Sequence, residues 1–364
     1  MRPEFSEKEL EIQGHYEHII PVMTGVPILN SPVTAKENIL MALSGKKPYW
    51  YPMVGMIGGD YKPFRPRMFP DTFVAHDVWD GEPPADFDSL PLVLDGWFGT
   101  KWRFEPGAGG SLTDPGSQMI SSINEWEKLP WPDLDALDWE GCAKINEAYL
   151  NSGLPIVFGI PTTFWERFMS LLEVTEAAMM LIDEDQYDAC HAFLDKLADH
   201  YCKQVTLVKK HFHADIILMH DDLGHQNGPF FSVDTYREMI LPYFKRVVSK
   251  VHELGMRFEF HCCGKSECFV PCMIEAGVDL WCPQDLNDIP AMAKKYKDYP
   301  ITFGVQLPIV TPGMPNEDEL AKAVAREFVD TYQGCNVAYL NYGCSEKLYL
   351  YVYEYSRKAL QKEL

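Results

Sequence analysis

The chain has 364 residues and a net charge of −21, with 46% hydrophobic and 23% charged residues. This composition predicts a soluble globular protein with a sizeable core, built as two ordinary domains or one large α/β barrel. A negative field of this size repels phosphate backbones and excludes nucleic acid from the expected partners. No apolar run approaches the ~18 residues that span a bilayer.

The first residues, MRPEFSEKELEIQG, contain neither the basic block nor the apolar block of a signal peptide. We therefore expect a cytoplasmic protein. The ten cysteines are then expected to be thiols rather than a disulfide framework, and most of them should pack in the core as small hydrophobic side chains.

The beginning of the chain is predicted to form an N-terminal arm and a first helix. Residues 1–30 have an irregular or helical pattern. Thr34 and Glu37 have the spacing of a capping box, which predicts a helix that continues to Leu43. Residues 49–55 predict the first strand.

The next segment, residues 56–135, is rich in Gly, Pro, Trp and Asp and lacks sustained helical periodicity. Residues 97–104 resemble a hairpin. We interpret the segment as a long insertion or lid within a single domain that covers residues 31–364.

From residue 155 onward, short apolar runs alternate with helical patterns, which is typical of a parallel sheet. Together with one or two earlier strands, they predict an α/β fold of the (β/α)8 TIM barrel class, whose active site lies at the C-terminal ends of the strands. The predicted strands are residues 156–159, 216–220, 257–261, 278–282, 301–305 and 336–340.

A candidate metal site lies at two of these strand ends. Residues i and i+2 of a strand point to the same face, so His261 and Cys263 can bind one ion together while Cys262 faces away. Cys344 follows the last strand. Imidazole and thiolate are ligands that Zn²⁺ accepts, and three protein ligands leave a position open for substrate. The alternative is a buried histidine beside core cysteines.

Other side chains are predicted to face the same end of the barrel. Asp221 and Asp222 directly follow a strand and are candidates for a base, a substrate contact or a fourth metal ligand; the alternative is capping of the next turn. Gln306 ends another strand and is a candidate substrate contact.

The helix that follows the first of these regular strands adds further candidates. Glu166 and Arg167 lie at its start. Arg167 could bind a carboxylate or phosphate, although an internal salt bridge is an equal alternative. Trp165 belongs to a dense set of aromatic residues; core packing explains most of them, and a few could wall a pocket for a flat ligand.

Several sequence blocks resemble the uroporphyrinogen decarboxylase superfamily, and the resemblance runs from about residue 30 to the end. It implies a distorted (β/α)8 barrel with the site at the C-terminal mouth. The blocks are residues 30–38 (NSPVTAKEN), 158–161 (FGIP), 220–226 (HDDLGHQ), 275–279 (EAGVD), 303–306 (FGVQ) and 340–344 (LNYGC).

The sequence departs from the decarboxylases of that superfamily at two places. They carry an Arg-rich R-Q-A-G-R element after the first strand, which holds the acidic porphyrinogen, whereas residues 53–59 here read MVGMIGG. They end the last strand with Gly-His, whereas Cys344 stands at that position here. These departures argue against porphyrinogen decarboxylation.

The chain is more similar to the cobalamin-dependent methyltransferases of the superfamily, which carry H-x-C and a later Cys as zinc ligands. His261, Cys263 and Cys344 match that pattern. The resemblance implies a zinc enzyme that works with a corrinoid protein, and residues 220–226 look like members that demethylate methoxylated aromatic compounds.

Several functions remain open at this point. The zinc could activate an O-methylated donor, or it could activate a thiol or another acceptor that takes the methyl group from methylcobalamin. A metal-free lyase that acts on a tetrapyrrole and a non-catalytic binder of a corrinoid protein or tetrapyrrole are further alternatives. Zinc content separates the methyltransferase from the lyase.

Overall fold

The computed structural model describes residues 2–16, 26–54, 63–64, 93–105 and 110–362. Its strands, in chain order, are β1 (Ile12–His15), β2 (Pro27–Leu29), β3 (Pro63–Phe64), β4 (Val93–Asp95), β5 (Lys101–Glu105), β6 (Gly110–Thr113), β7 (Val157–Ile160), β8 (Ile216–His220), β9 (Gly224–His225), β10 (Gly228–Pro229), β11 (Arg257–Cys262), β12 (Leu280–Pro283), β13 (Thr302–Gln306) and β14 (Val337–Leu340).

The helices alternate with the strands of the main sheet. They are α1 (Ala35–Leu43), α2 (Trp139–Ile145), α3 (Glu147–Leu150), α4 (Phe164–Leu171), α5 (Val174–Met180), α6 (Tyr187–Phe212), α7 (Val233–Met239), α8 (Leu241–Glu253), α9 (Val270–Ala276), α10 (Ile289–Lys295), α11 (Glu317–Thr331) and α12 (Glu346–Lys362). Within the described ranges, no helix is both long and apolar enough to cross a membrane.

The main sheet is parallel and has the strand order β14-β13-β12-β11-β8-β7-β3. Met53 adds a parallel bridge to Tyr339 of β14 at the opposite edge from β3. The order of strands and the alternating helices make a distorted (β/α)8 barrel, as predicted. At the edges of the sheet the pairing is short: β3 pairs with β7 through two residues, and Met53 pairs with Tyr339 through one bridge.

Side chains alternate between two apolar layers because successive strand residues point to opposite faces. Leu218 and Leu280 belong to the small inner cluster, whereas Met219 and Trp281 pack in the large cluster between the sheet and the helices. Helix α1 contributes Leu43 to the inner cluster. It covers the end of the barrel where the strands begin, since Gly45 lies close to Pro300 just before β13.

The predicted capping box is present. The Thr34 side chain accepts from the Glu37 N–H, and the Glu37 carboxylate accepts from the Thr34 N–H. The strand predicted at residues 49–55 is reduced to the bridge at Met53, and residue 55 lies outside the described residues. The buried Asn38 side chain explains the difference, because it accepts from the Tyr49 N–H and donates to the Trp50 carbonyl in place of a neighbouring strand.

The N-terminal arm differs from the irregular or helical prediction. After a short 3₁₀ helix (Glu7–Leu10), β1 pairs with β2 in an antiparallel ladder. The buried Glu9 carboxylate accepts from both the Arg357 guanidinium and the Tyr353 hydroxyl of α12. These bonds tie the arm to the last helix of the barrel.

Part of the predicted insertion is described. The hairpin predicted at residues 97–104 is found as β4 and β5, and β6 extends it to three antiparallel strands. The described part packs on α6, with Trp97 against His200 and Phe98 against Phe193. Residues 55–62, 65–92 and 106–109 lie outside the described residues, so the role of a lid stays a prediction.

Candidate functional site

The site is built at the C-terminal ends of β8, β11 and β12. In β11, Phe258, Phe260 and Cys262 point to the outer core and are fully buried. His261 has the opposite orientation and is paired in register with His220 of β8 and Cys282 of β12. The alternation of strand side chains therefore separates Cys262 from the two residues that flank it.

Three potential metal ligands meet at this place. The ligand atoms of Asp222, His261 and Cys263 lie within 4.8 Å of one another. His261 Nε2 is 3.3 Å from Cys263 Sγ, and one Asp222 oxygen accepts a 3.0 Å hydrogen bond from the Cys263 N–H. An imidazole nitrogen, a sulfur and a carboxylate oxygen are a ligand set suited to Zn²⁺.

The tautomer of His261 follows from its other nitrogen. Nδ1 is 2.8 Å from the Cys282 carbonyl oxygen. A carbonyl oxygen can only accept, so Nδ1 carries the proton and Nε2 of the neutral ring offers its lone pair towards Cys263. This arrangement, with the distal nitrogen bonded to a carbonyl, is the usual support of a metal-binding histidine.

The turn that carries Cys263 is held from two sides. Gly264 has φ +73°, and a Cβ there would come within 2.2 Å of the Gly224 backbone, so the close approach requires glycine at this position. The Lys265 N–H donates to the His225 carbonyl on the same side. On the other side, Gln284 of the segment after β12 contacts both Gly264 and Cys263.

The electrostatics of the cluster favour a cation. Burial and the neighbouring Asp222 carboxylate raise the pKa of the Cys263 thiol. A bound cation reverses this effect, because it stabilises the thiolate and compensates the adjacent carboxylate. The donor atoms present therefore fit a metal ion.

Asp221 and Asp222 are adjacent but have different environments. Asp221 is fully buried and caps the start of α4, where its carboxylate accepts from the N–H groups of Phe164, Trp165 and Glu166. Burial raises the pKa of Asp221 to about 7, and the N–H donors at the helix start oppose that rise. Asp221 thus caps a helix that precedes it in the chain rather than the next turn, and Asp222 joins the potential metal ligands His261 and Cys263. A catalytic role of either carboxylate stays a prediction.

Cys344 is not part of that group. It lies just after β14 with φ 54°, and its N–H donates to the Asn341 carbonyl. Its Sγ is 3.8 Å from the Tyr342 carbonyl oxygen, and burial raises the pKa of its thiol. The role of Cys344 as a zinc ligand stays a prediction.

The predicted substrate contacts lie in different surroundings. Gln306 is exposed at the end of β13. Trp165 is fully buried and packs on Phe230 and Phe231, with ring centroids 5.5 and 4.9 Å away. Arg167 is also buried, and its guanidinium lies 5.0 Å from the ring of Phe98. Substrate binding by these three residues stays a prediction.

Sequence reasoning missed Gln284 and Asn287. Asn287 is buried; its side chain accepts from the N–H groups of Ser266 and Glu267 and donates to the Gly264 carbonyl. Both residues follow the predicted strand at residues 278–282, and amide side chains at that place were the signal that could have identified them.

Comparisons with known proteins agree with this architecture. A methyltransferase from Methanosarcina mazei matches with a TM-score of 0.55 at 14% identity, over 90% of this chain and 98% of that chain, which shows a shared fold. A xylanase, TsXylA from Thermoanaerobacterium saccharolyticum, aligns over 60% of this chain and 74% of its own, at 10% identity and a TM-score of 0.36. This weaker similarity does not indicate a function.

Among curated proteins, no match was found. The sequence model of the uroporphyrinogen decarboxylase (URO-D) family matches residues 96–332, which is well over half of the chain and includes Asp222, His261, Cys263 and Gln284. The chain therefore belongs to the uroporphyrinogen decarboxylase (URO-D) family.

Proposed function

We propose that this protein is a zinc-dependent methyltransferase that moves a methyl group between a small O-methylated, preferably aromatic, substrate and a corrinoid cofactor carried by a partner protein. The observation that carries the proposal is the convergence of Asp222, His261 and Cys263 within 4.8 Å. The fold shared with a solved methyltransferase supports it.

Asp222, His261 and Cys263 would hold the zinc, and Cys344 is the further ligand that the sequence resemblance implies. Zinc bound there supplies Lewis-acid chemistry, which makes the heteroatom of a methylated substrate a better leaving group. His261 contributes a fixed lone pair through its bond to Cys282, and Cys263 contributes a thiolate in a rigid turn.

Aromatic side chains on the segment that follows Asp222 favour an aromatic substrate. Phe230 and Phe231 are half-buried and lie after the Asp222 loop. His225 packs on Phe230 at 5.4 Å, and its carbonyl accepts from the turn that carries Cys263. A flat ring between such side chains would be held by dispersion and quadrupole contacts while its methoxy oxygen faces the metal.

Porphyrinogen decarboxylation is disfavoured by charge. Its substrate carries several carboxylates, and burying them without paired cations costs several kcal/mol. The segment of residues 53–59, MVGMIGG, contains no arginine. A small, weakly charged methyl donor does not need paired arginine side chains in its binding site.

The test starts with the metal content of the purified protein. We expect about one zinc per chain, and X-ray absorption at the zinc edge should show Zn–S near ~2.3 Å and Zn–N near ~2.0–2.1 Å. The protein is then incubated with cob(I)alamin and a panel of methoxylated aromatics, and the methylcobalamin spectrum is recorded.

The other functions appear as distinct outcomes of this test. Transfer from methylcobalamin to a thiol, without reaction of the methoxylated compounds, would assign the acceptor-side reaction. A metal-free protein that releases CO₂ from uroporphyrinogen would overturn the proposal. Binding of a corrinoid protein without turnover of any methyl donor or acceptor would also overturn it.

A further inference from the structure

Gln284, in the segment after β12, contacts the potential metal-binding group formed by Asp222, His261 and Cys263. Gln284 Nε2 lies 3.3 Å from Cys263 Sγ, and Gln284 Oε1 accepts a 2.8 Å hydrogen bond from the Gly264 N–H. One amide thus contacts two successive residues of the turn that carries the sulfur ligand.

The orientation of the amide is fixed by its partners. A backbone N–H can only donate, so the oxygen of Gln284 must face Gly264. The amide nitrogen consequently faces Cys263, and its N–H points at the sulfur. A thiolate is a much better acceptor for that N–H than a neutral thiol, because it carries a full negative charge.

A second amide holds the same segment in place. The side chain of Asn287 donates to the Gly264 carbonyl and to the Gln284 carbonyl. Cys263 is therefore clamped between the Asp222 carboxylate, which accepts from its N–H, and the Gln284 amide, which donates to its sulfur. These two hydrogen bonds orient the Cys263 side chain before any ion binds.

We propose that Gln284 is a positioning residue of this site, which orients the Cys263 thiolate by an N–H···S hydrogen bond and lowers the electron density that the sulfur gives to the metal. This inference rests on the proposed function. A less electron-rich sulfur leaves the metal a stronger Lewis acid towards the open position, which is the property that heteroatom activation needs.

Two substitutions separate the two contacts of Gln284. Gln284→Met has a similar length and removes both the donor and the acceptor. Gln284→Glu keeps the acceptor for the Gly264 N–H but places an oxygen where the N–H met the sulfur. The matched control is Gln333→Glu, the same change at an exposed position between α11 and β14, at the opposite end of the barrel.

The measurements are zinc affinity by chelator competition and the absorption spectrum of the Co²⁺-substituted protein. We expect both Gln284 variants to bind zinc ~10–100-fold more weakly, as for other residues that support metal ligands, because the lost orientation of Cys263 outweighs the stronger donation of its sulfur. The sulfur-to-cobalt band should move to lower energy, because the sulfur gives its electrons more readily without the donor. Thermal unfolding of the metal-free variants checks that the fold is kept.

The outcomes are distinguishable. If Gln284→Glu has the affinity and the cobalt spectrum of the wild type, only the Gly264 contact matters and the proposal is overturned. Affinity that is equal or higher in Gln284→Met also overturns it. A wild-type protein that binds neither zinc nor cobalt would instead overturn the proposed function.

Discussion

Each end of β11 has a histidine and an aspartate close together. At the N-terminal end these are His252 and Asp279, and at the C-terminal end they are His261 and Asp222. At the beginning, His252 Nε2 lies 2.7 Å from Asp279 Oδ2, and the same oxygen accepts from the Phe258 N–H. Arg257 is 3.7 Å from the other oxygen of Asp279. Donors and acceptors are matched at this end.

At the other end, three potential metal ligands face one another. His261 Nε2, Cys263 Sγ and an Asp222 oxygen converge, while the histidine proton is used on the Cys282 carbonyl. A bound cation would stabilise the Cys263 thiolate beside the Asp222 carboxylate. The comparison shows that residue type alone does not identify a site; what matters is whether several potential ligand atoms converge on one point, as they do at the C-terminal end. In barrels, the beginning of the strands serves stability and the end serves chemistry.

The largest expected effect concerns Cys263, the proposed sulfur ligand. Cys263→Ser should lose the metal and reduce turnover by roughly 10³-fold, because Lewis-acid stabilisation amounts to several kcal/mol. Cys262→Ser is the control, since Cys262 is buried in the outer core. Elemental analysis of bound zinc and measurement of turnover in both variants test this prediction. Loss of zinc in Cys262→Ser together with retention in Cys263→Ser would reverse the assignment.

The adjacent carboxylates Asp221 and Asp222 allow a second comparison, between a structural and a proposed metal-binding aspartate at the same end of the barrel. Asp222→Asn should weaken zinc binding by about tenfold or more with little change in stability. Asp221→Asn should retain bound zinc but lower the free energy of unfolding by ~1–3 kcal/mol, because the cap of α4 loses acceptors for its N–H groups. Chelator competition and chemical denaturation measure the two effects. Equal zinc affinity in Asp222→Asn and the wild type would contradict the ligand assignment.

The smallest expected effects lie at the beginning of β11. Asp279→Asn should cost ~1–3 kcal/mol of stability, since it disturbs a nearly buried carboxylate with several partners. His252→Ala should cost only ~0–1 kcal/mol, because His252 is about a third exposed and solvent screens the pair. Zinc content should equal that of the wild type in both. A loss of zinc in either variant would show that the two ends of the barrel are not independent.

Much of the fold could be predicted from the sequence. The six regular strands predicted between residues 156 and 340 match β7, β8, β11, β12, β13 and β14, because short apolar runs between helical patterns are strong local signals. The first strand and the arm were predicted less well. Their backbone groups bond to distant partners, such as the Asn38 side chain for Tyr49 and α12 for the arm, and no local pattern encodes these partners.

The sequence by itself determined which residues of β11 could form a site, because the two-residue period of a strand is local and places His261 opposite to Cys262. Only the tertiary structure decided which distant residues join them. Asp222 joins because β8 runs beside β11 in register, with His220 opposite His261. Asp221 caps the start of α4, and Gln284 contacts Cys263 from the segment after β12. These choices depend on strand neighbours and on the backbone beyond the strand ends, where no periodicity fixes the direction of a side chain.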